Sequence, residues 1–241
     1  MTQASPGKDA GSPNSSAIRA TEDAAWRRAG AVSSGDTLGE VPLDTTNFAK
    51  FQTRNPVVRG MIDRFFERLR GIVEPLHARS VLDAGCGEGE TIARLRDTLP
   101  ERVSAIDILE QCVAFTSRRL PFVEARQASV YELPFEDDAF DLVLSLEVLE
   151  HLDSPAAAIR ELDRVARRDL VLSVPYEPYF RLGSLLRGKY VRQLGNHPEH
   201  VNHWNRRRLP VLLSSHVDVV EVQVAFPWLI AHCRPRRAPH A

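Results

Sequence analysis

The run Asp83-Ala84-Gly85-Cys86-Gly87-Glu88-Gly89 carries three glycines at alternate positions, directly after the apolar pair Val81-Leu82. It reads as a buried strand entering a tight turn before a helix, a design that lets a ligand approach the backbone closely. A nucleoside-triphosphate loop needs G-x-x-x-x-G-K-[ST], and no lysine follows this turn. A dinucleotide turn needs G-x-G-x-x-G, with the pyrophosphate on the helix N-terminus. The third glycine of that pattern is replaced by Glu90. Glu88 and Glu90 would also bring negative charge to the turn, which repels a phosphate but tolerates a cationic or zwitterionic ligand.

A second group of chemically capable residues lies in GNHPEHVNHWNRRR, residues 195–208. His197, His200 and His203 are spaced by three, which on a helix fans them across about 120° at the usual 100° per residue. Metal sites need converging ligands, and this is not H-E-x-x-H, so no metal is expected. His197, Asn202, His203 and Trp204 instead suit the wall of a pocket for a polar or aromatic small molecule. The acids Glu136, Asp137, Asp138 and Asp141 read as a solvated loop tip.

These residues need a scaffold, and the chain supplies a regular alternation. Asn55-Pro56 is a helix start, a capping side chain followed by proline at the first helical position. Val58, Met61, Ile62, Phe65, Phe66, Leu69 and Val73 then form one apolar stripe, which Pro75 ends. SVLDA, RVSAID, FVEARQA, FDLVLSLE and DLVLSVP read as strands. Helices are expected over Glu90–Leu99 and Leu109–Arg119, and over SPAAAIRELDRVARR with Ser154 as its cap. Such alternation means an α/β fold with a mainly parallel sheet and right-handed crossovers. VDVVEVQVAFPWLIAHC adds two strands as an antiparallel C-terminal edge ribbon, seven strands in all.

Residues 1–44, rich in Ser, Gly, Ala, Thr, Asp and Pro, read as a disordered tail. The formal net charge of −1 exerts no global pull toward nucleic acid or membrane. No apolar run reaches the ~20 residues that span a bilayer. Three scattered cysteines, Cys86, Cys112 and Cys233, suit a reducing cytosol and a cytoplasmic protein.

S-adenosylmethionine carries a sulfonium, an ammonium and a carboxylate, and no phosphate, so it fits the charge of the turn. VLDAGCGEG resembles the first motif of class I S-adenosylmethionine-dependent methyltransferases. SAIDI, ELPFEDDAFDLVLS and LEVLEHL continue the resemblance, over roughly residues 50–175. The pattern is similar to the small-molecule, type 11-like branch. The resemblance implies a Rossmann-like, doubly wound, mostly parallel seven-stranded sheet. It implies a methyltransferase domain over residues 45–241, with residues 179–208 as a candidate substrate-pocket insertion.

The resemblance also assigns roles. Asp83, Gly85, Gly87 and Gly89 would wrap the methionine part of the cofactor, S-adenosyl-L-methionine. Asp107, 18 residues past Gly89, would accept the ribose hydroxyls, and Ile108 would lie against the adenine. Ser129 stands where the family often has an acid for the adenine amino group, with the Val130 backbone serving the ring. Leu146, flanked by Ser145 and Glu147, would reach the cofactor's edge. His151 is the candidate catalytic base, near where a methyl would emerge. Phe48, Phe51, Arg54 and Asn55 could fold over the cofactor, Arg54 toward its carboxylate. The expected activity is methyl transfer to a small-molecule acceptor, in bacterial natural-product, sugar or lipid biosynthesis. One rival is a non-catalytic cofactor-binding or partner subunit. The other is a nucleic-acid methyltransferase, against which SLEVLEHL stands where an adenine-amino enzyme carries an N/D-P-P-Y-like stretch.

Overall fold

The side-chain Oδ1 of Asn55 accepts the Val57 and Val58 N–H groups at 2.9 and 3.4 Å, and Pro56 opens helix α1, Pro56–Val73. The apolar stripe read from the sequence is its buried face, with Ile62, Phe65, Phe66, Leu69, Ile72 and Val73 turned inward. A 3-10 turn over Glu74–Leu76, containing Pro75, ends it. The computed structural model describes residues 37–38, 41–42, 51, 53–177 and 202–236. The tail expectation and the 179–208 insertion fall largely outside these. Within the tail, β1 (Thr37–Leu38) and β2 (Val41–Pro42) pair antiparallel.

After α1 the chain alternates as expected: β3 (Val81–Ala84), α2 (Glu90–Arg94), β4 (Val103–Asp107), α3 (Glu110–Arg119), β5 (Val123–Gln127), β6 (Phe140–Leu146), α4 (Pro155–Val165) and β7 (Ala166–Pro175). Helix α5 (Arg208–Ser214) leads into β8 (Asp218–Ala225) and β9 (Trp228–Arg234). The main sheet has seven strands in the order β5-β4-β3-β6-β7-β9-β8. Pairings from β5 to β7 are parallel, and β9 joins β7 and β8 antiparallel. This is a Rossmann-like methyltransferase fold with its antiparallel C-terminal ribbon. The order reverses beside β3, so the carboxyl ends of β3 and β6 open at the switch point where ligands bind in such sheets.

The central strands β3, β4 and β6 bury both faces, whereas the edge strands β5 and β8 are mostly exposed or half-buried. Val81 faces α1 and Leu82 faces α4; Leu142 and Leu144 go with Val81, and Val143 with Leu82. Fully burying a side chain of this size contributes roughly 1.5–3 kcal/mol, so the two layers clamp the sheet and hold its strand ends rigidly.

Several element ends differ from expectation. The helix expected over Glu90–Leu99 closes at Arg94 and continues as turns, because Thr98 donates its hydroxyl to the Leu95 carbonyl at 2.8 Å and Pro100 follows. The helix begun at Pro155 stops at Val165, since Ala166 pairs with Phe140 and starts β7. Ser154 stands at its N-cap position, but its side chain makes no capping bond; its N–H is instead donated to the Tyr131 hydroxyl at 3.0 Å. Helix α5 was not foreseen. Its signals were Asn205, whose Oδ1 accepts the Arg207 and Arg208 N–H groups at 2.9 Å, and the buried pair Leu209 and Leu213.

Candidate functional site

The glycine turn is built by fastening its backbone to the next strand. Gly85 and Cys86 donate their N–H groups to the Ile106 carbonyl at 2.8 and 2.9 Å. Thr116 on α3 donates its hydroxyl to the Gly87 carbonyl at 2.9 Å, and Arg119 reaches the Glu88 carbonyl at 3.1 Å. Gly85, Gly87 and Gly89 all have positive φ, at 88°, 51° and 72°. A Cβ at Gly85 would run into Val148. A Cβ at Gly87 would meet nothing within 4 Å, so Gly87 presents bare backbone to open space, the cradle a ligand needs.

Asp107 ends β4 beside this turn and is buried. Its Oδ2 accepts the Gly87 N–H at 2.8 Å and its Oδ1 accepts the Leu109 N–H at 2.9 Å. One carboxylate thus joins the glycine turn to the start of α3. Burial pushes its pKa up, opposed by these N–H donors. Asp83, wholly within the sheet, is pushed up to about 7 by burial and then by the charge of Asp107, and its Oδ2 is buried without a hydrogen-bond partner. Glu88 is likewise pushed up to about 7, chiefly by burial, and its Oε1 is also buried and unpartnered.

Of the two acids expected to charge the turn, Glu90 is neutralised. Glu90 does not offer free charge to a ligand, because Arg94 and Arg119 hold its two oxygens at 2.6 and 2.7 Å. The acidic character of the turn rests on Asp83, Glu88 and Asp107.

A cavity of about 60 Å³ opens over the turn. Gly85, Gly87, Glu88 and Leu146 line it on the strand side. Phe51, Phe65, Phe66 and Trp228 form its aromatic wall, with Phe65 packed on Phe66 and on Trp228 at centroid distances of 5.2 Å. From the sequence alone Phe65 and Phe66 belong to a core stripe and Trp228 to a strand, because a helical stripe looks the same whether its partner is core or pocket. Arg54 is exposed and, with Arg59, Asp63 and Arg94, lines an adjoining open depression that shares Phe51 and Ile62 with the cavity over the turn.

The remaining candidates sit along the same carboxyl edge or beyond it. Ile108 is partly exposed after β4, and its carbonyl accepts the Gln127 side-chain amide at 2.9 Å. Ser129 Oγ accepts the Tyr131 N–H at 3.2 Å, a local turn bond, and Val130 is buried. His151 closes a 3-10 turn, Leu149–His151, just past β6. Asn202 spends its amide on the Leu149 and Leu152 carbonyls at 3.3 and 2.6 Å, and its N–H on the Glu150 carbonyl at 3.2 Å. It therefore fastens the His151 turn. His203 Nδ1 lies 3.9 Å from Glu177 Oε1. Trp204 is buried in the core that α4 and α5 share, and its carbonyl accepts the Glu177 N–H at 2.9 Å. His197 and Phe48 lie outside the described residues. Among the described residues, no three His, Cys, Asp or Glu side chains converge to hold a metal.

Comparison with known proteins fits this geometry. Residues 82–173 match the family model described as a methyltransferase domain. A probable S-adenosylmethionine-dependent methyltransferase of Mycobacterium tuberculosis is 38% identical over 146 residues, 59% of this chain and 50% of that protein. The 27-O-demethylrifamycin SV methyltransferase of Amycolatopsis mediterranei is 34% identical over 111 residues, 43% of this chain and 40% of that protein. The chain spans about half the length of the first curated relatives it matches. In fold, it is similar to magnesium protoporphyrin IX methyltransferase from Synechocystis, solved with bound SAH, at a TM-score of 0.57 and 18% identity over 92% of this chain and 97% of that one. Residues 82–173 thus match a type 11 methyltransferase domain, and over somewhat more than half of its length the chain is similar to probable S-adenosylmethionine-dependent methyltransferases.

Proposed function

We propose that the chain binds S-adenosyl-L-methionine over its glycine turn and transfers the methyl group to a small-molecule acceptor. The observation that carries this reading is the junction of Gly87 and Asp107: a bare positive-φ glycine facing open space, bound at 2.8 Å to an acid at the end of the adjacent strand. This bond supports the reading in which Asp107 meets the ribose and the glycine turn meets the methionine portion. The acidic, lysine-free turn argues against a phosphate ligand. The names of the relatives support the cofactor, and the rifamycin enzyme among them supports a natural-product acceptor.

In this reading Asp83, Gly85, Gly87 and Gly89 surround the methionine portion. Asp107 takes the ribose hydroxyls with the lone pairs its two N–H donors leave free. Ile108, Ser129 and Val130 would hold the adenine, and Leu146 would reach the cofactor's edge. The cofactor supplies an electrophilic methyl on a good leaving group, so the chain's part is to align the two reactants and exclude water. His151 takes the proton of a hydroxyl or ammonium acceptor, and Asn202 holds the turn that carries it. His203 contacts the acceptor, with Trp204 anchoring that stretch in the core. Among the described residues no helix is long and apolar enough to cross a membrane, and the three buried free thiols suit a reducing, cytoplasmic setting.

The test is incubation of the purified chain with methyl-labelled S-adenosylmethionine and a panel of hydroxylated and amino natural products, sugars and lipids. Label appearing in one acceptor, lost in a Gly87→Val variant, supports the reading. Failure to retain the labelled cofactor on the protein contradicts it.

A further inference from the structure

The turn that leaves β6 is held in an unusual way. Glu147 adopts φ +59°, a left-handed conformation that a side-chain-bearing residue rarely takes and that surrounding structure must enforce. Ser173 on β7 does part of this, accepting the Glu147 N–H with its carbonyl at 3.1 Å and donating its hydroxyl to Glu147 Oε1 at 3.3 Å. The other oxygen, Oε2, accepts the indole N–H of Trp228 at 2.6 Å. Trp228 opens β9, pairs with Pro175 across the antiparallel junction, and is itself buried. Its ring packs on Phe65 of α1. Glu147 and Trp228 both line the cavity over the glycine turn, next to Leu146 and Gly87.

We infer that Trp228 is a positioning residue for the cofactor pocket, acting through Glu147, so that the C-terminal ribbon helps build the binding site. Two donors on one carboxylate stop Glu147 from swinging across the cavity. They hold an anion beside bare backbone and an aromatic wall, the combination that recognises a sulfonium or ammonium group. The indole fits this place for two separable reasons: its ring fills the wall against Phe65, and its N–H orients the acid. A phenylalanine would keep the first and lose the second.

The inference rests on the cofactor reading, and the experiment separates the two. Wild-type protein, Trp228→Phe, Glu147→Gln and the double variant are each titrated with S-adenosylhomocysteine by calorimetry, and their melting temperatures are recorded. The expected result is a Kd at least fivefold higher in Trp228→Phe. The double variant should bind within twofold of the weaker single variant, since both changes act through the same carboxylate. A residue that only packs would lower the melting temperature and multiply with Glu147→Gln instead. If Trp228→Phe does not fold, Ser173→Ala removes the other side-chain donor from the same carboxylate and takes its place in the cycle. Wild type that binds, with Trp228→Phe within twofold of it or with losses that multiply, overturns the inference alone. Wild type that does not bind overturns the cofactor reading and the inference with it.

Discussion

At the residue scale, buried carboxyls dominate the site. Asp83 and Glu88, whose ordinary values are 3.8 and 4.5, are both pushed up to about 7 by burial. The folded chain thus holds these protons more tightly than the unfolded chain. Their contribution to stability is complete below pH 4 and is lost as pH rises toward 7. Asp83→Asn combined with Glu88→Gln removes this dependence. Scanning calorimetry of the ligand-free protein should find the variant's melting temperature falling less than the wild type's between pH 5 and pH 8; parallel falls would contradict the assignment. A cationic ligand favours the ionised carboxyls, so cofactor affinity should rise with pH through 7. Gly87 gives the complementary prediction. Valine there meets no protein atom within 4 Å of its Cβ but strains a φ of +51° and intrudes on the ligand space. Gly87→Val should abolish cofactor binding in a protein that still folds, checked by circular dichroism beside the titration.

At the element scale, the short helix α2 depends on charge more than on length. Five residues cannot hold a helix by propensity, so the bonds from Arg94 and Arg119 to Glu90 tie it to α3. Glu90→Ala should destabilise the fold by about 1–2 kcal/mol, seen as an earlier urea midpoint. An unchanged midpoint would mean packing alone seats α2. This pairing also explains what sequence reading could and could not reach. The parallel half was legible because buried strands and amphipathic helices alternate without ambiguity, and because Asn55-Pro56 is an unmistakable start. The neutralisation of Glu90 was not, since Arg119 lies 29 residues away in the chain and only the fold brings them together. The end of α4 was missed because helical propensity runs on through Arg168, while a long-range pairing with β6 converts Ala166 to strand. The glycine turn could be read from its spacing and Asp107 from the family resemblance, but most of the aromatic wall could not. Phe51 was expected there, but Phe65 and Phe66 of α1 and Trp228 of the last strand were not, since nothing local ties them to a shared cavity.

At the scale of the whole molecule, the sheet is clamped between α1 on one face and α4 with α5 on the other, and the pocket opens between α1 and the carboxyl ends of β3 and β6. A ligand that binds only the folded form adds RT ln(1 + [L]/Kd) to stability. S-adenosylhomocysteine at one hundred times its Kd should therefore add about 2.7 kcal/mol, raising the melting temperature by roughly 5–10 °C for a domain of this size. NAD at the same concentration should leave it unchanged. The central claim, that the Gly87–Asp107 junction is the cofactor site, is tested most directly by calorimetric titration of wild type and Asp107→Ala with S-adenosylhomocysteine. The account predicts one saturable site at micromolar affinity in the wild type, weakened more than tenfold in Asp107→Ala. Equal affinity in the two proteins, or no binding by the wild type, would contradict it.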